Sequence, residues 1–119
     1  MLLYPGFTAL DLVGPYHFLA GMMGARVHLV TTRGALAPVP SDMGLAIAPT
    51  VTFADYPKDV TILFMPGGTD GTLAAARDAR TLAFIRDQAS RTDYVTSVCT
   101  GARILGSAGL LNGKRATSH

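Results

Sequence analysis

Val60-Thr61-Ile62-Leu63-Phe64-Met65 is a nearly continuous apolar run, and the turn-forming residues Pro66-Gly67-Gly68 follow it directly. A run of this kind is typical of a parallel strand that is covered on both faces. Helices must provide that cover, so the rest of the chain should alternate between strands and helices.

The segments after this run follow that alternation. Helical spacing of apolar residues predicts a helix over 80–91. Its inward-facing residues should be Leu82, Ala83, Ile85 and Ala89. The other predicted elements are a short helix over 73–76, a strand over 94–98, a helix over 101–108 and the start of a strand over 114–118.

The segments before the run complete an α/β pattern. The predicted elements are a strand end over 2–4, a helix over 11–23, a strand over 26–31 and a short hairpin or edge strands within 34–53. Gly14-Pro15 should lie in the first turn of the helix over 11–23, and Gly24 should end it. Its apolar residues at helical spacing are Leu12, Tyr16, Leu19, Ala20 and Met23. The order predicts a three-layer α/β sandwich with a mainly parallel central sheet, in which ligands bind at the carboxyl ends of the strands.

Composition excludes several classes of protein. The chain has 119 residues, 49% hydrophobic and 15% charged, which is the content of a folded domain and not of a disordered one. The net charge is +2 and Lys and Arg form no run, so this segment is not expected to bind nucleic acid. Cys99 is the only cysteine, which excludes an internal disulfide and favours a reducing compartment, so the cytoplasm is expected. No signal peptide and no apolar stretch of the ~20 residues that a membrane span needs is present.

Neither a metal site nor a cofactor is expected. Histidines and carboxylates do not occur at metal-ligand spacing, and the glycines match neither a Walker loop nor a dinucleotide-binding fingerprint. The chain is expected to be a single domain over 1–119, truncated at the first strand and at the C-terminus, because the first strand is short and no helix follows the last one. The alternative is a compact domain with frayed ends.

Cys99 stands where a predicted strand ends and a predicted helix begins. A nucleophile on such a sharp turn is exposed at the top of the sheet, and the N–H groups at the start of the helix favour its thiolate form. Gly101 and Ala102 are small enough to let the turn close tightly. The alternative is that Cys99 is a small buried hydrophobic residue, as many free cysteines are.

Two further segments carry candidate residues. Gly67 and Gly68 let the backbone approach a ligand, and their N–H groups could stabilise an anion that forms during reaction. An ordinary strand-ending turn explains the two glycines as well. Asp11 lies between two leucines. It could carry a proton in a site near the thiolate, or it could cap a helix.

The histidines give a weaker signal. His17 and His28 fit structural or surface positions. His119, the last residue, could pair with Cys99 if the predicted strand before it lies beside the strand of the nucleophile.

Taken together, these segments resemble the DJ-1/PfpI superfamily, also called the ThiJ or class I glutamine amidotransferase-like group, whose fold is flavodoxin-like. The likeness covers essentially the whole chain. The matching segments are 3–7, 10–15, 64–68, 98–102 and 106–119, in this order.

Within the superfamily, the combination of Asp11, Cys99 and Thr100 is most similar to the isocyanide hydratases. PfpI-type proteases have histidine in place of Thr100, and DJ-1-like proteins have glutamate in place of Asp11. The resemblance implies addition of water to an isonitrile, which gives an N-substituted formamide. The Cys99 thiolate would form a thioimidate, and Asp11 would hold and deliver the proton and help to activate water. Thr100, by its hydroxyl or its backbone N–H, would help to fix the carboxyl group or the substrate. The Gly68 N–H would line the site, and His119 would be an auxiliary residue.

The same resemblance implies a small-molecule substrate and a homodimer. It leaves two alternatives open. One is the ligand-sensing N-terminal domain of an AraC-type transcription regulator, which has the same Cys-Thr-Gly-Ala elbow and is followed by a helix-turn-helix region. The other is a different DJ-1/PfpI enzyme, glyoxalase-like or an intracellular protease or amidase. The presence of both Asp11 and Cys99 favours an enzyme, because a pure sensor needs neither.

Overall fold

A computed structural model describes all 119 residues of the chain. The elements are β1 (Leu2–Leu3), α1 (Ala9–Ala20), β2 (Val30–Thr31), β3 (Val39–Pro40), β4 (Ala46–Ile47), β5 (Val51–Thr52), β6 (Ile62–Met65), α2 (Asp70–Ala75), α3 (Ala79–Ala89), β7 (Tyr94–Ser97) and α4 (Gly101–Ser107). None of the helices combines the length and the apolar character that a bilayer crossing requires.

Parallel strand pairs position the carboxyl ends of the strands. β2 lies between β1 and β5 and is parallel to both, and β6 is parallel to β7. The segments that follow β1 and β6 also meet, because the Thr8 N–H donates to the Gly67 carbonyl at 2.8 Å and Phe7 forms a bridge with Gly68. The ends of β1, β6 and β7 therefore share one edge of the fold, where ligands of α/β proteins bind.

The helices are divided between two groups. Pro15 and Phe18 of α1 line an apolar groove with Ile62 and Phe64 of β6. No residue of α2, α3 or α4 lines that groove, and α2 and α3 both pack against α4. Successive side chains of a strand point to opposite faces of the sheet, so the side chain of Leu63, between Ile62 and Phe64, points to the face opposite the groove. This arrangement confirms the predicted α/β class with a mainly parallel sheet.

Two predicted strands are wrong in extent or existence. The strand predicted over 26–31 is reduced to Val30–Thr31. At Leu29 the ladder is incomplete, because its carbonyl accepts from the Val51 N–H at 3.2 Å while its N–H donates to the Thr50 hydroxyl at 2.8 Å. The strand predicted over 114–118 is absent. Those residues are exposed and no strand pairs with them. The hairpin predicted within 34–53 is confirmed by the antiparallel pair β3 and β4.

The limits and faces of two helices also differ from the prediction. α1 begins at Ala9, so Pro15 lies in the middle of the helix and not in its first turn. It ends at Ala20, before Gly24, and Leu12 is its only buried residue. Tyr16 and Met23, two of the apolar residues at helical spacing, are exposed. On α3 the buried residues are Thr81, Ile85 and Gln88, and Ala83 is exposed. Polar side chains that find hydrogen-bond partners take part of the inner face of α3, which an apolar pattern alone does not predict.

Candidate active site

Cys99 lies on a strained turn between β7 and α4. Its φ of 52° is the only positive φ of a non-glycine residue in the chain. The left-handed conformation costs an L-residue about 1 kcal/mol, and such strain is concentrated at functional sites. Two residues further on, a Cβ at Gly101 would lie 2.8 Å from the Pro66 carbonyl oxygen and would overlap that of Met65. The absence of a side chain at Gly101 thus lets the turn sit directly on the end of β6.

Asp11 does not cap a helix. It is the third residue of α1, whose N-cap is Thr8, and its buried Oδ2 atom has no hydrogen-bond partner. The Thr8 hydroxyl does not cap the helix either, since it donates to Asp42 Oδ2 at 2.5 Å. A buried oxygen without a partner costs stability, so the position of Asp11 calls for a reason other than folding.

Gly67 lies between Asp11 and Cys99. A Cβ built on Gly67 would be 2.5 Å from Asp11 Oδ2, 2.7 Å from Cys99 Cβ and 3.0 Å from Cys99 Sγ. The carboxylate and the thiol are therefore both within 3.0 Å of one point, although they come from opposite ends of the chain. The structure brings together the two residues that the resemblance implicates in proton transfer and nucleophilic attack.

We expect Gly67→Ala to reduce any Cys99-dependent turnover by at least about a hundredfold, because displacement of reacting groups by roughly 1 Å has effects of that size. The added methyl group would push apart Asp11 and Cys99. Gly14→Ala is the matched control, since a Cβ at Gly14 meets no atom within 4 Å. It should keep full turnover and an equal or higher melting temperature. Equal turnover in the two variants would show that close approach at Gly67 is not required.

Thr100 binds the backbone of Gly68 and not the carboxylate. Its hydroxyl accepts from the Gly68 N–H at 2.9 Å and donates to the Gly68 carbonyl at 2.6 Å. The Gly68 N–H, predicted to line the site, is thus already hydrogen-bonded within the chain. The N–H groups of Gly67, Cys99 and Thr100 donate to no acceptor in the chain and are the free donors of this region.

The histidines lie outside this arrangement. The side chain of His119 is exposed and makes no hydrogen bond, although the hydroxyl of its neighbour Ser118 donates to the Cys99 carbonyl at 3.4 Å. His17 is exposed on α1 and His28 is half-buried before β2. The chain contains no group of three or more His, Cys, Asp or Glu side chains that could hold a metal ion.

Tyr4 and Thr72 lie behind the turn Pro66-Gly67-Gly68, and the sequence analysis did not single them out. The Tyr4 hydroxyl donates to the Pro66 carbonyl at 2.7 Å and lies 2.9 Å from the Thr72 hydroxyl. Burial raises the pKa of Tyr4 above its ordinary value, and the nearby Asp11 carboxylate adds to the effect, so Tyr4 remains a hydrogen-bond donor at neutral pH. A tyrosine next to the Pro5-Gly6 turn was the available sequence signal.

A match to a protein-family model shows which family the chain belongs to. The DJ-1/PfpI family matches residues 1–119, which is the whole chain. The chain belongs to the DJ-1/PfpI family. The resemblance inferred from the sequence is thereby confirmed, together with the fold that it implied.

Individual relatives of this DJ-1/PfpI chain refine the comparison. A Pseudomonas putida protein named isonitrile hydratase is 50% identical over 118 residues, which are 99% of the chain and 50% of that protein. An uncharacterised Streptomyces lividans protein is 34% identical over 126 residues, covering 100% of the chain and 84% of that protein. A crystal structure of a THiJ/PfpI family protein from Pseudomonas syringae has a TM-score of 0.94 and 59% identity, covering 100% of the chain and 48% of that protein. The chain spans about half the length of the two Pseudomonas relatives.

Proposed function

We propose that the chain is part of an isonitrile hydratase, which adds water to R–N≡C and produces the N-substituted formamide R–NH–CHO. The observation that carries the proposal is the pairing of Asp11 and Cys99 across Gly67, with Asp11 Oδ2 buried and without a partner. The 50% identity to the isonitrile hydratase of Pseudomonas putida supports it. Thr100 next to Cys99, where PfpI-type proteases have histidine, argues against proteolysis.

The first step forms a covalent intermediate on Cys99. The terminal carbon of the isonitrile accepts the sulfur electron pair, and the same carbon takes up the proton that leaves the thiol. Asp11 receives that proton from sulfur and delivers it to carbon. The product is the thioimidate R–N=CH–S–Cys99, formed with no loss or gain of other atoms.

The second step consumes one water molecule. Its oxygen attacks the thioimidate carbon while Asp11 takes a proton from it, and Asp11 then gives that proton to the imine nitrogen. The tetrahedral adduct R–NH–CH(OH)–S–Cys99 then loses Cys99 as a thiol and leaves the formamide. In this proposal the N–H groups of Gly67 and Thr100, which have no acceptor in the chain, stabilise negative charge that develops beside the elbow.

The remaining parts of the proposal concern the assembly and its location. We include a homodimer, supported by the large apolar side chains that α1 exposes, among them Leu10 at 77% and Phe18 at 79% exposure. Cytoplasmic location fits a chain whose only cysteine is a free thiol that must stay reduced.

The test is turnover of a simple aromatic isonitrile by the full-length protein. We expect stoichiometric formamide by chromatography, and after rapid acid quenching a mass increase on the Cys99 peptide equal to the mass of the isonitrile. A peptide that never carries the adduct, in an enzyme that still makes formamide, would contradict the thioimidate. Absence of formamide with several aromatic and alkyl isonitriles would contradict the reaction class.

A further inference from the structure

Two buried hydroxyl groups support the turn between β6 and α2. Tyr4 is 1% exposed and Thr72 is 0% exposed. Tyr4 Oη donates to the Pro66 carbonyl at 2.7 Å and contacts Thr72 Oγ1 at 2.9 Å. Thr72 Oγ1 lies 3.2 Å from Thr100 Oγ1, which donates to the Gly68 carbonyl at 2.6 Å. This hydroxyl network therefore reaches both ends of the turn Pro66-Gly67-Gly68.

A count of protons assigns the direction of each hydrogen bond. The carbonyls of Pro66 and Gly68 can only accept, so the hydroxyl protons of Tyr4 and Thr100 are used on them. Thr72 must then be the donor in its contact with Tyr4. No proton remains for the Thr72–Thr100 contact, which is the longest in the network at 3.2 Å. Tyr4 is thus a fully used hydroxyl, which donates to the turn and accepts from Thr72.

The hydrogen bond from Tyr4 fixes the peptide plane that faces the reactive pair. In a trans peptide the C=O of Pro66 and the N–H of Gly67 point in opposite directions, so holding one orients the other. Other groups already hold the next peptide, since the Gly67 carbonyl accepts from the Thr8 N–H at 2.8 Å and the Gly68 N–H donates to Thr100. Only the Pro66–Gly67 plane depends on Tyr4. It carries the free Gly67 N–H and the Cα on which an added Cβ would lie within 3.0 Å of both reactive side chains.

We propose that Tyr4 and Thr72 are positioning residues that hold the Pro66–Gly67 peptide in the geometry required for catalysis at Cys99. This inference rests on the proposed hydratase function for its kinetic readout. Neither hydroxyl forms a hydrogen bond with the Cys99 sulfur, so their effect passes through the turn and should change the rate of the chemical step more than substrate binding.

The experiment compares Tyr4→Phe, Thr72→Val and Thr72→Ser in the full-length protein. Tyr4→Phe leaves the Pro66 carbonyl without its donor, and we expect kcat to fall about fivefold to tenfold with KM within about twofold of wild type. Thr72→Val removes only the support of Tyr4 and should have a smaller effect. Thr72→Ser should restore wild-type kcat. In the double variant Tyr4→Phe/Thr72→Val, the fold loss in kcat should be less than the product of the two single-variant fold losses, because both substitutions act through one hydrogen bond.

Matched controls separate positioning from general stability. Tyr56→Phe and Thr81→Val alter hydroxyl groups at Asp87 and Asp78, outside the site. They should lower the melting temperature at most, with kcat unchanged. If Tyr4→Phe and Thr72→Val also lower only the melting temperature, the two residues are structural and the proposal is wrong.

A second readout does not depend on the reaction. The rate of Cys99 alkylation by iodoacetamide, measured well below the melting temperature, should change by about threefold or more in Tyr4→Phe and stay constant in Tyr56→Phe. Wild-type protein without isonitrile turnover would contradict the hydratase function alone. An unchanged alkylation rate in Tyr4→Phe would then overturn the positioning role, and a changed rate would support it.

Discussion

Cys99→Ala in the full-length protein should lose at least about a thousandfold in isonitrile turnover, because no other thiol in this chain can form the covalent intermediate. The expected signal is loss of kcat with residual binding of the isonitrile. Formamide production, measured under saturating substrate, is the assay. Retention of a tenth or more of wild-type turnover would mean that water attacks the isonitrile directly.

The stability of the variant provides an independent check on the strained turn. Alanine at position 99 keeps the φ of 52° and its cost, and a half-exposed side chain contributes little packing, so Cys99→Ala should melt close to wild type. Cys99→Gly removes the strain as well as the sulfur. Its free energy of unfolding should exceed that of Cys99→Ala by about 1 kcal/mol. Calorimetry of Cys99→Ala and Cys99→Gly measures the free energy of unfolding that the left-handed conformation at position 99 costs.

The sequence predicts best those elements whose burial is two-sided or whose ends carry turn residues. The run 60–65 was predicted as a covered parallel strand, and β6 pairs with β7 as such a strand should. The helix after Cys99 was also predicted, because Gly101 and Gly109 mark its ends, and Gly109 has a φ of 81° in the structure. These elements depend on local patterns that span few residues.

Predictions failed where the structure depends on distant partners. Residues 26–29 have the composition of a strand. A strand forms only where a neighbouring strand pairs with its backbone, and β1 and β5 are each only two residues long. The role of Thr100 through its hydroxyl or its backbone N–H stays a prediction, but the sequence did not indicate that the hydroxyl binds Gly68, 32 positions away. Periodicity does not reveal a bond between two such positions. The role of Tyr4 was missed for the same reason, since its acceptor, Pro66, is 62 positions away.

Asp11 and Asp78 show how the same side chain serves different ends. Asp78 precedes α3, and its carboxylate accepts from the Thr81 N–H at 2.9 Å, which is the geometry of a helix cap. Hydrogen bonds from Thr81 lower the pKa of Asp78 below its ordinary value. Asp11 lies in the first turn of its helix, with a buried oxygen that has no hydrogen-bond partner. A cap stabilises the fold, whereas an unpartnered buried carboxylate opposes it.

This contrast gives the second large prediction. Asp11→Asn should lower kcat for isonitrile hydration by about a hundredfold to ten-thousandfold, because the amide has the shape of the carboxyl group but cannot take up and release the proton. Its melting temperature should equal or exceed that of wild type, since a neutral amide replaces a carboxyl group whose buried Oδ2 atom has no hydrogen-bond partner. Cys99 should still be alkylated, and the thioimidate should form slowly or not at all.

Asp78→Ala should give the opposite pattern, with full turnover and a loss of about 1 kcal/mol in the free energy of unfolding. These two results would show that Asp11 supports activity without stabilising the fold, and that Asp78 stabilises the fold without supporting activity. If Asp11→Asn instead loses stability and keeps its turnover, Asp11 has a structural role, and the proton must move through another group. The free N–H groups around Cys99 could not replace it, because a backbone amide donates a hydrogen bond but does not carry a proton from sulfur to carbon.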